Sequence, residues 1–184
     1  GIYYEREVTS VFEQILHSKP KGIVVDVGMN IGWYTLYSRS MGHEVVAFDP
    51  NPIMHSRVCN SLRLNNWWDG ISDASSGSSG VTTFAYGLGD KIANLTLTLT
   101  ENPGESTFNS ITKGPTTGFI KVPVTTLDSV AAEMGWLQEN QQKKDDATII
   151  HILKVDTEGY ERTILGGASK LLSSGLVQNI IFES

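Results

Sequence analysis

Apolar and polar positions along this chain follow two alternating rhythms, one of helices and one of buried strands. From Glu5 to Lys19 apolar residues recur at Val8, Val11, Phe12, Ile15 and Leu16, the spacing of a helix that buries one face. Ile23, Val24 and Val25 then form an unbroken β-branched run, as expected of a strand covered on both faces in a parallel sheet. Trp33 to Met41 reads as a short helix closed by Gly42, and Glu44 to Phe48 as the next strand. Asn51 suits an N-cap and Pro52 a first helical position, with Met54, Val58 and Leu62 marking the buried stripe of a helix that reaches about Leu64.

The second half keeps the pattern. Val81 to Tyr86 is a third strand, and Asn94 to Thr100 alternates strictly, predicting a half-exposed strand in a small hairpin or sheet extension. Phe119 to Thr125 is a further strand. Thr126 caps a helix with Leu127, Val130, Ala131, Met134 and Leu137 on its apolar face. Thr148 to Val155 and Leu176 to Phe182 are buried strands, and Glu158 to Ser174 between them reads as one helix closed by Gly175. Strands alternating with helices predict an α/β, Rossmann-like fold, doubly wound around a mostly parallel sheet. One domain is expected over 1–184: an N-terminal helix in 1–20 and an α/β core from 21 on.

Three segments break the rhythm. Asn65 to Gly80 is rich in Ser and Gly, with Trp67 and Trp68 expected to anchor it in the core. Glu101 to Gly118 is long for a structureless loop, which marks it as functional or disordered, and Phe108-Asn109-Ser110 is its candidate for facing a site. Gln138 to Asp146 is most simply a solvated charged face.

Chemistry concentrates at the carboxyl ends of the strands, where open α/β sheets bind ligands. The first strand runs into Asp26-x-Gly28-x-Asn30-x-Gly32, whose glycines allow a sharp turn and a close ligand approach. Asp49 ends the second strand 21 positions after Gly28, near the spacing of about 20 that separates a glycine turn from a ribose-binding acid. An acid beside the turn is a poor neighbour for a pyrophosphate and a good one for a cation. S-adenosylmethionine, with a ribose, an ammonium and a sulfonium but no phosphate, fits these residues better than a dinucleotide.

At these residues the chain resembles the class I methyltransferases, and among them the FkbM family. DVGMNIGWYT is similar to the family's D-x-G-x-N-x-G-x-Y-T, AFDPNP to its A-F-E-P-N-P with Asp for Glu, and LKVDTEGYERTILGGA to its I-K-I-D-x-E-G-x-E-x-x-V-L-x-G-A. The resemblance covers about Gly22 to Glu183. It implies S-adenosylmethionine as cofactor, held by Asp26, Gly28, Asn30, Gly32, Tyr34, Thr35, Asp49 and Asn51. Asp26 would lie near the ammonium, Asp49 on the ribose, and Gly87 and Leu88 against the adenine. It also implies two more strands after the last one here. The chain begins at Gly1 rather than Met and stops before those strands, so a piece of a longer protein is expected.

Methyl transfer to a hydroxyl needs a group to take the proton. Asp156, at a strand end, and Glu158, two residues on, are the candidates for general base or for orienting the acceptor. The bland alternative makes Glu158 a first-turn acid favoured by the helix dipole, with Lys154 as its partner. A metal shared by Asp156 and Glu183 is the minor version, and no metal is expected. The four histidines, at 17, 43, 55 and 151, are expected to be structural.

Composition narrows the rest. With 184 residues, 40% hydrophobic and 18% charged, the chain can bury one sizeable core. A formal charge of −6 argues against a nucleic-acid backbone as partner, and no apolar run is long enough to span a membrane. A soluble domain is expected, cytoplasmic by default. The single cysteine, Cys59, permits no intrachain disulfide and reads as a small hydrophobe. The expectation is therefore an O-methyltransferase acting on a small-molecule, glycan or lipid acceptor. The competing classes are a non-catalytic cofactor-binding or interaction module and an NAD-dependent oxidoreductase.

Overall fold

The computed structural model describes residues 5–67, 80–109, 114–137 and 149–182. Trp68, Ser110, the 138–146 segment and Glu183 lie outside them. In chain order the elements are α1 (Arg6–His17), β1 (Ile23–Val27), α2 (Trp33–Ser40), β2 (Glu44–Phe48), α3 (Pro52–Leu64), β3 (Val81–Phe84), β4 (Gly87–Leu88), β5 (Ala93–Thr100), β6 (Thr116–Thr125), α4 (Leu127–Glu133), β7 (Ile150–Val155), α5 (Glu161–Gly166), α6 (Ser169–Ser173) and β8 (Ile180–Phe182), with a 3-10 turn at Pro103–Glu105.

Five strands form a wholly parallel sheet in the order β3-β2-β1-β7-β8. Strand period two sends neighbouring residues to opposite faces. Val24, Val45, Ala47 and Ile152 pack under α1, α2 and α3 through Phe12, Leu16, Tyr34, Val58 and Leu62. Val25, Val46, Phe48 and Leu153 pack on the other face against Leu127 and Val130 of α4, Ile164 of α5 and Leu171 of α6. The predicted doubly wound α/β architecture is the one observed.

Several local readings match closely. Asn51 accepts a hydrogen bond from Ile53 N at 3.0 Å and caps α3, which begins at Pro52 and ends at Leu64. Thr126 caps α4 by accepting from Ser129 N at 3.0 Å. β5 and β6 pair antiparallel, and β4 adds to β6 in parallel, giving a second sheet in the order β4-β6-β5. Gly87 and Leu88 are therefore a short strand of this second sheet.

Other readings need correction. Val11 is 44% exposed, so the buried face of α1 is Thr9, Phe12 and Leu16. The single helix expected over Glu158 to Ser174 is two short ones. It starts late because Glu158 (φ 58°) and Gly159 (φ 92°) are left-handed. It breaks at Gly167 because the backbone there meets Gly89: a Cβ on Gly167 would sit 2.0 Å from the Gly89 carbonyl oxygen. Asp128 of α4 then caps α6, accepting from Lys170 N and Leu171 N. The last strand shortens to Ile180–Phe182 and is an edge, with Ile180 and Phe182 exposed.

Candidate functional site

The strand order reverses between β1 and β7, and a cavity of about 560 Å³ opens at the carboxyl ends there. Its size falls within the roughly 300–1,000 Å³ of small-molecule sites. The floor comes from the strand ends (Val27, Gly28, Phe48, Asp49, Lys154, Asp156), one wall from Tyr86 to Leu88, and the roof from the 103–108 segment. Glu5 and Val8 of the N-terminal segment, and Ile181 and Phe182 of β8, border it.

The turn after β1 is built by backbone contacts that only its residues allow. Gly28 has φ 78°, and a Cβ on it would lie 1.9 Å from the Asp156 carbonyl oxygen. Gly32 has φ 85° and rests on Val58 of α3. The missing side chains thus make room for the protein's own β7 and α3. Asn30 takes the left-handed φ of 51°, a conformation Asn tolerates better than most residues.

Asp49 stands over this turn. Its Oδ2 accepts from Asn30 N at 2.9 Å and its Oδ1 from Asn51 N at 2.8 Å. Burial pushes its pKa up to about 6, with the two backbone bonds opposing and the Asp26 charge adding to the rise. Each carboxylate oxygen keeps lone-pair capacity toward the cavity. Since the folded value lies above the unfolded one, ionising Asp49 costs stability as pH rises from about 4 to about 6. The cost is about 3 kcal/mol.

Beneath Gly28 lies an ionic group that the spacing of motifs does not announce. The Lys154 side chain is 4% exposed and donates to Gly28 O at 3.1 Å. It pairs with Asp26 Oδ1 and Asp156 Oδ2, each at 3.3 Å. Its ammonium also sits 5.3 Å from the centre of the Tyr34 ring. Burial alone lowers the lysine's pKa, but the two carboxylates outweigh it and the net value is raised. Asp26 is fully buried, and its other oxygen accepts from Thr35 Oγ1 at 2.7 Å. Tyr34 donates to Glu5 Oε2 at 2.7 Å, fastening the start of the chain to the same network.

The turn after β7 is held from two sides. Glu161 Oε1 accepts from Thr157 N and Gly159 N, at 2.7 and 3.1 Å. The Glu158 carbonyl accepts from Thr107 Oγ1 and Asn109 Nδ2, at 3.1 and 3.0 Å. Lys154 therefore pairs with Asp26 and Asp156 rather than with Glu158, and the first-turn acid of α5 is Glu161. The roof is also tied to the opposite wall, since Asn51 Nδ2 donates to Pro103 O and Ser106 Oγ.

Of the residues singled out in the sequence, Gly28, Asn30, Asp49, Asn51, Gly87, Leu88, Asp156 and Glu158 line the cavity together. Asp26, Gly32, Tyr34 and Thr35 lie behind its wall. Phe108 faces the cavity, and Asn109 reaches the Glu158 carbonyl. The lining also holds Glu5, Tyr86 and Thr107, which motif reading passed over, and Lys154, which it gave only as a partner for Glu158. Tyr86, with its phenol pushed up to about 12 by burial and the charge of Glu133, is a neutral donor at ordinary pH. Lys154 did carry a signal: a lysine inside the apolar run TIIHILKV must be paired if that run is a buried strand. His43 and His151 pack edge to face, with ring centroids 5.7 Å apart, at the amino end of the sheet.

Among the described residues, four carboxylates (Glu5, Asp49, Asp156, Glu158) line the cavity against one ammonium, that of Lys154. Lys154 is committed, donating to Gly28 O and ion-paired with Asp26 and Asp156.

Comparison with known proteins points to a methyltransferase family. Residues 26–184 match the model of the Methyltransferase FkbM domain. The chain is 28% identical over 169 residues to Methyltransferase 1 of Beauveria bassiana, covering 87% of this chain and 63% of that protein. It is 28% identical over 181 residues to Methyltransferase sdnD of Sordaria araneosa, covering 88% of this chain and 65% of that one. The chain thus spans a little under two thirds of these relatives' length. No solved structure gives a significant match. Among the described residues, no helix is long and apolar enough to cross a membrane.

Proposed function

Since this chain belongs to the FkbM methyltransferase family, we propose that its cavity binds S-adenosylmethionine and that the protein transfers the methyl group to an oxygen of a small-molecule, glycan or lipid acceptor. The observation that carries the reading is Asp49. It is a buried carboxylate at the end of β2, oriented by two backbone N–H groups, in a cavity lined by acids. A ribose offers two hydroxyl donors to such a group, and a sulfonium with an ammonium suits acidic walls. A dinucleotide pyrophosphate would meet those acids with no uncommitted cation among the described lining residues.

When bound, the cofactor supplies a methyl group on a sulfonium, an electrophile with a good leaving group. The protein's share is alignment and exclusion of water. Asp49 accepts from the ribose, and Phe48, Tyr86, Leu88 and Phe108 give an apolar wall for a flat base. Asp156 or Glu158, both at the end of β7, would take the proton of the acceptor hydroxyl as the acceptor oxygen bonds to the methyl carbon and the carbon–sulfur bond breaks, its electron pair staying on sulfur.

Calorimetric titration of S-adenosylhomocysteine, with NAD as control, tests this reading. Saturable binding of the first and none of the second is expected. Asp49→Ala weakens it at least tenfold, or about 1.4 kcal/mol. A folded wild-type protein that binds no S-adenosylhomocysteine refutes the proposal.

A pH series adds a second expectation. Hydroxyl donors favour ionised Asp49, so affinity strengthens as pH rises through about 6. Between pH 5 and pH 7 the gain is about tenfold, and it is absent in Asp49→Asn. An equally steep profile in that variant assigns the titration to another group.

A further inference from the structure

Asp26 opens the glycine turn, the position expected to meet the ammonium of the cofactor, yet it is sealed from the cavity. It is fully buried, with Oδ2 accepting from Thr35 Oγ1 and Oδ1 ion-paired with Lys154 Nζ at 3.3 Å. Resting on the proposed binding of S-adenosylmethionine, we infer that Asp156, not Asp26, receives the ammonium of the cofactor's amino-acid end, and that Asp26 neutralises Lys154 from below so that Asp156 keeps its charge for that cation.

Charge supports this division of labour. Asp26, Lys154 and Asp156 form a chain of minus, plus and minus with a net charge of −1. Had Lys154 only Asp156 as counter-ion, the pair would be neutral and would offer little to a cation. Asp26 neutralises the lysine from below, so the surplus negative charge is accessible only at Asp156. The Asp156 side chain is 30% exposed and lines the cavity. Lys154 holds its Oδ2, and Oδ1 has no partner among the described residues.

Placement supports it too. β2, β1 and β7 are adjacent, so Asp49 and Asp156 are two strand spacings apart, about 10 Å. Gly28, with its carbonyl fixed by Lys154, forms the floor between them. A ligand anchored by its ribose on Asp49 and extended across Gly28 brings its far end to Asp156. Glu5 is less suited, because Oε2 already accepts from Tyr34. With Asp156 so occupied, the proton-accepting role falls to Glu158.

The test compares S-adenosylhomocysteine with its deamino analogue by calorimetry. Wild type is expected to prefer the amine-bearing ligand at least tenfold. Asp156→Asn, checked for folding by thermal melt, binds the two alike while its affinity for the deamino analogue stays within about twofold of wild type. A second variant, Asp26→Asn with Lys154→Met, removes the buried pair, leaves Asp156 its full charge and keeps or increases the preference. Loss of the preference in that folded variant, or its survival in Asp156→Asn, overturns the inference. Equal binding of both ligands by wild type also overturns it, and leaves the cofactor site itself standing. Binding of neither ligand by folded wild type brings down the cofactor reading and this inference together.

Discussion

Replacing Lys154 by Met lowers the unfolding free energy by about 3–5 kcal/mol, the range for removing one partner of a buried ion pair. Asp26 would remain fully buried with only the Thr35 hydroxyl to answer its charge. For a domain of this length that is a fall in Tm on the order of 10 °C. The cause lies in the stranded carboxylate and not in the lost lysine, so adding Asp26→Asn should return most of the stability. Neutral groups of similar volume in place of a buried pair are often no worse than the pair. Thermal melts of both variants give the answer. A Lys154→Met protein melting within about 3 °C of wild type, or a double variant no better than the single, contradicts this account.

Gly28→Ala is the second large effect, and two other glycines separate its causes. At Gly175, φ is 78° and nothing lies within 4 Å of a new Cβ, so alanine there meets only the left-handed backbone penalty, about 1–2 kcal/mol. At Gly118, φ is not in that region and the space is open, so alanine is neutral or slightly stabilising. At Gly28 the same left-handed penalty applies, and the new methyl would sit 1.9 Å from the Asp156 carbonyl, which is backbone and cannot swing aside. Relief means parting the ends of β1 and β7, where Asp156 N donates to Val27 O at 3.0 Å and Lys154 reaches Gly28 O. The total is on the order of 4 kcal/mol. S-adenosylhomocysteine binding should be lost too, because the floor of the cavity moves. Melts ranked Gly118, Gly175, Gly28 in rising damage bear this out, whereas equal damage at Gly175 and Gly28 removes the clash from the explanation.

These two residues also show where sequence reading reached and where it stopped. The unit from Ile23 to Asp49 was legible because its signals are local: a β-branched run, glycines at a turn, an acid at the right distance. The same holds for α3, where Asn51, Pro52 and the Met54, Val58, Leu62 stripe each lie within four residues of the next. Gly28 was legible as a glycine but not for its reason, since what fills its empty side is a carbonyl from β7. Asp26 was legible as an acid of the motif, but whether it looks into the cavity or beneath it depends on Lys154, far along the chain. Glu158 read as helical because its neighbours keep helical spacing. Two side chains from the 103–109 segment and one from Glu161 hold the turn otherwise, and no local pattern encodes that.

The pairing of β1 with β7 has a consequence during synthesis. Gly28 and Lys154 are 126 residues apart in the chain. A ribosome adding about 5–20 residues per second leaves roughly 6–25 s between them. Through that interval β1 and β2 can pair, while the other side of β1, an apolar valine-rich strand, stays an open edge with the Asp26 carboxylate uncompensated beneath it. Contacts this distant in sequence form slowly even once the chain is free. The nascent protein therefore carries the glycine turn and Asp49 well before it has a cavity floor. In its growth the binding site is closed by β7, among the last strands of this chain to be made.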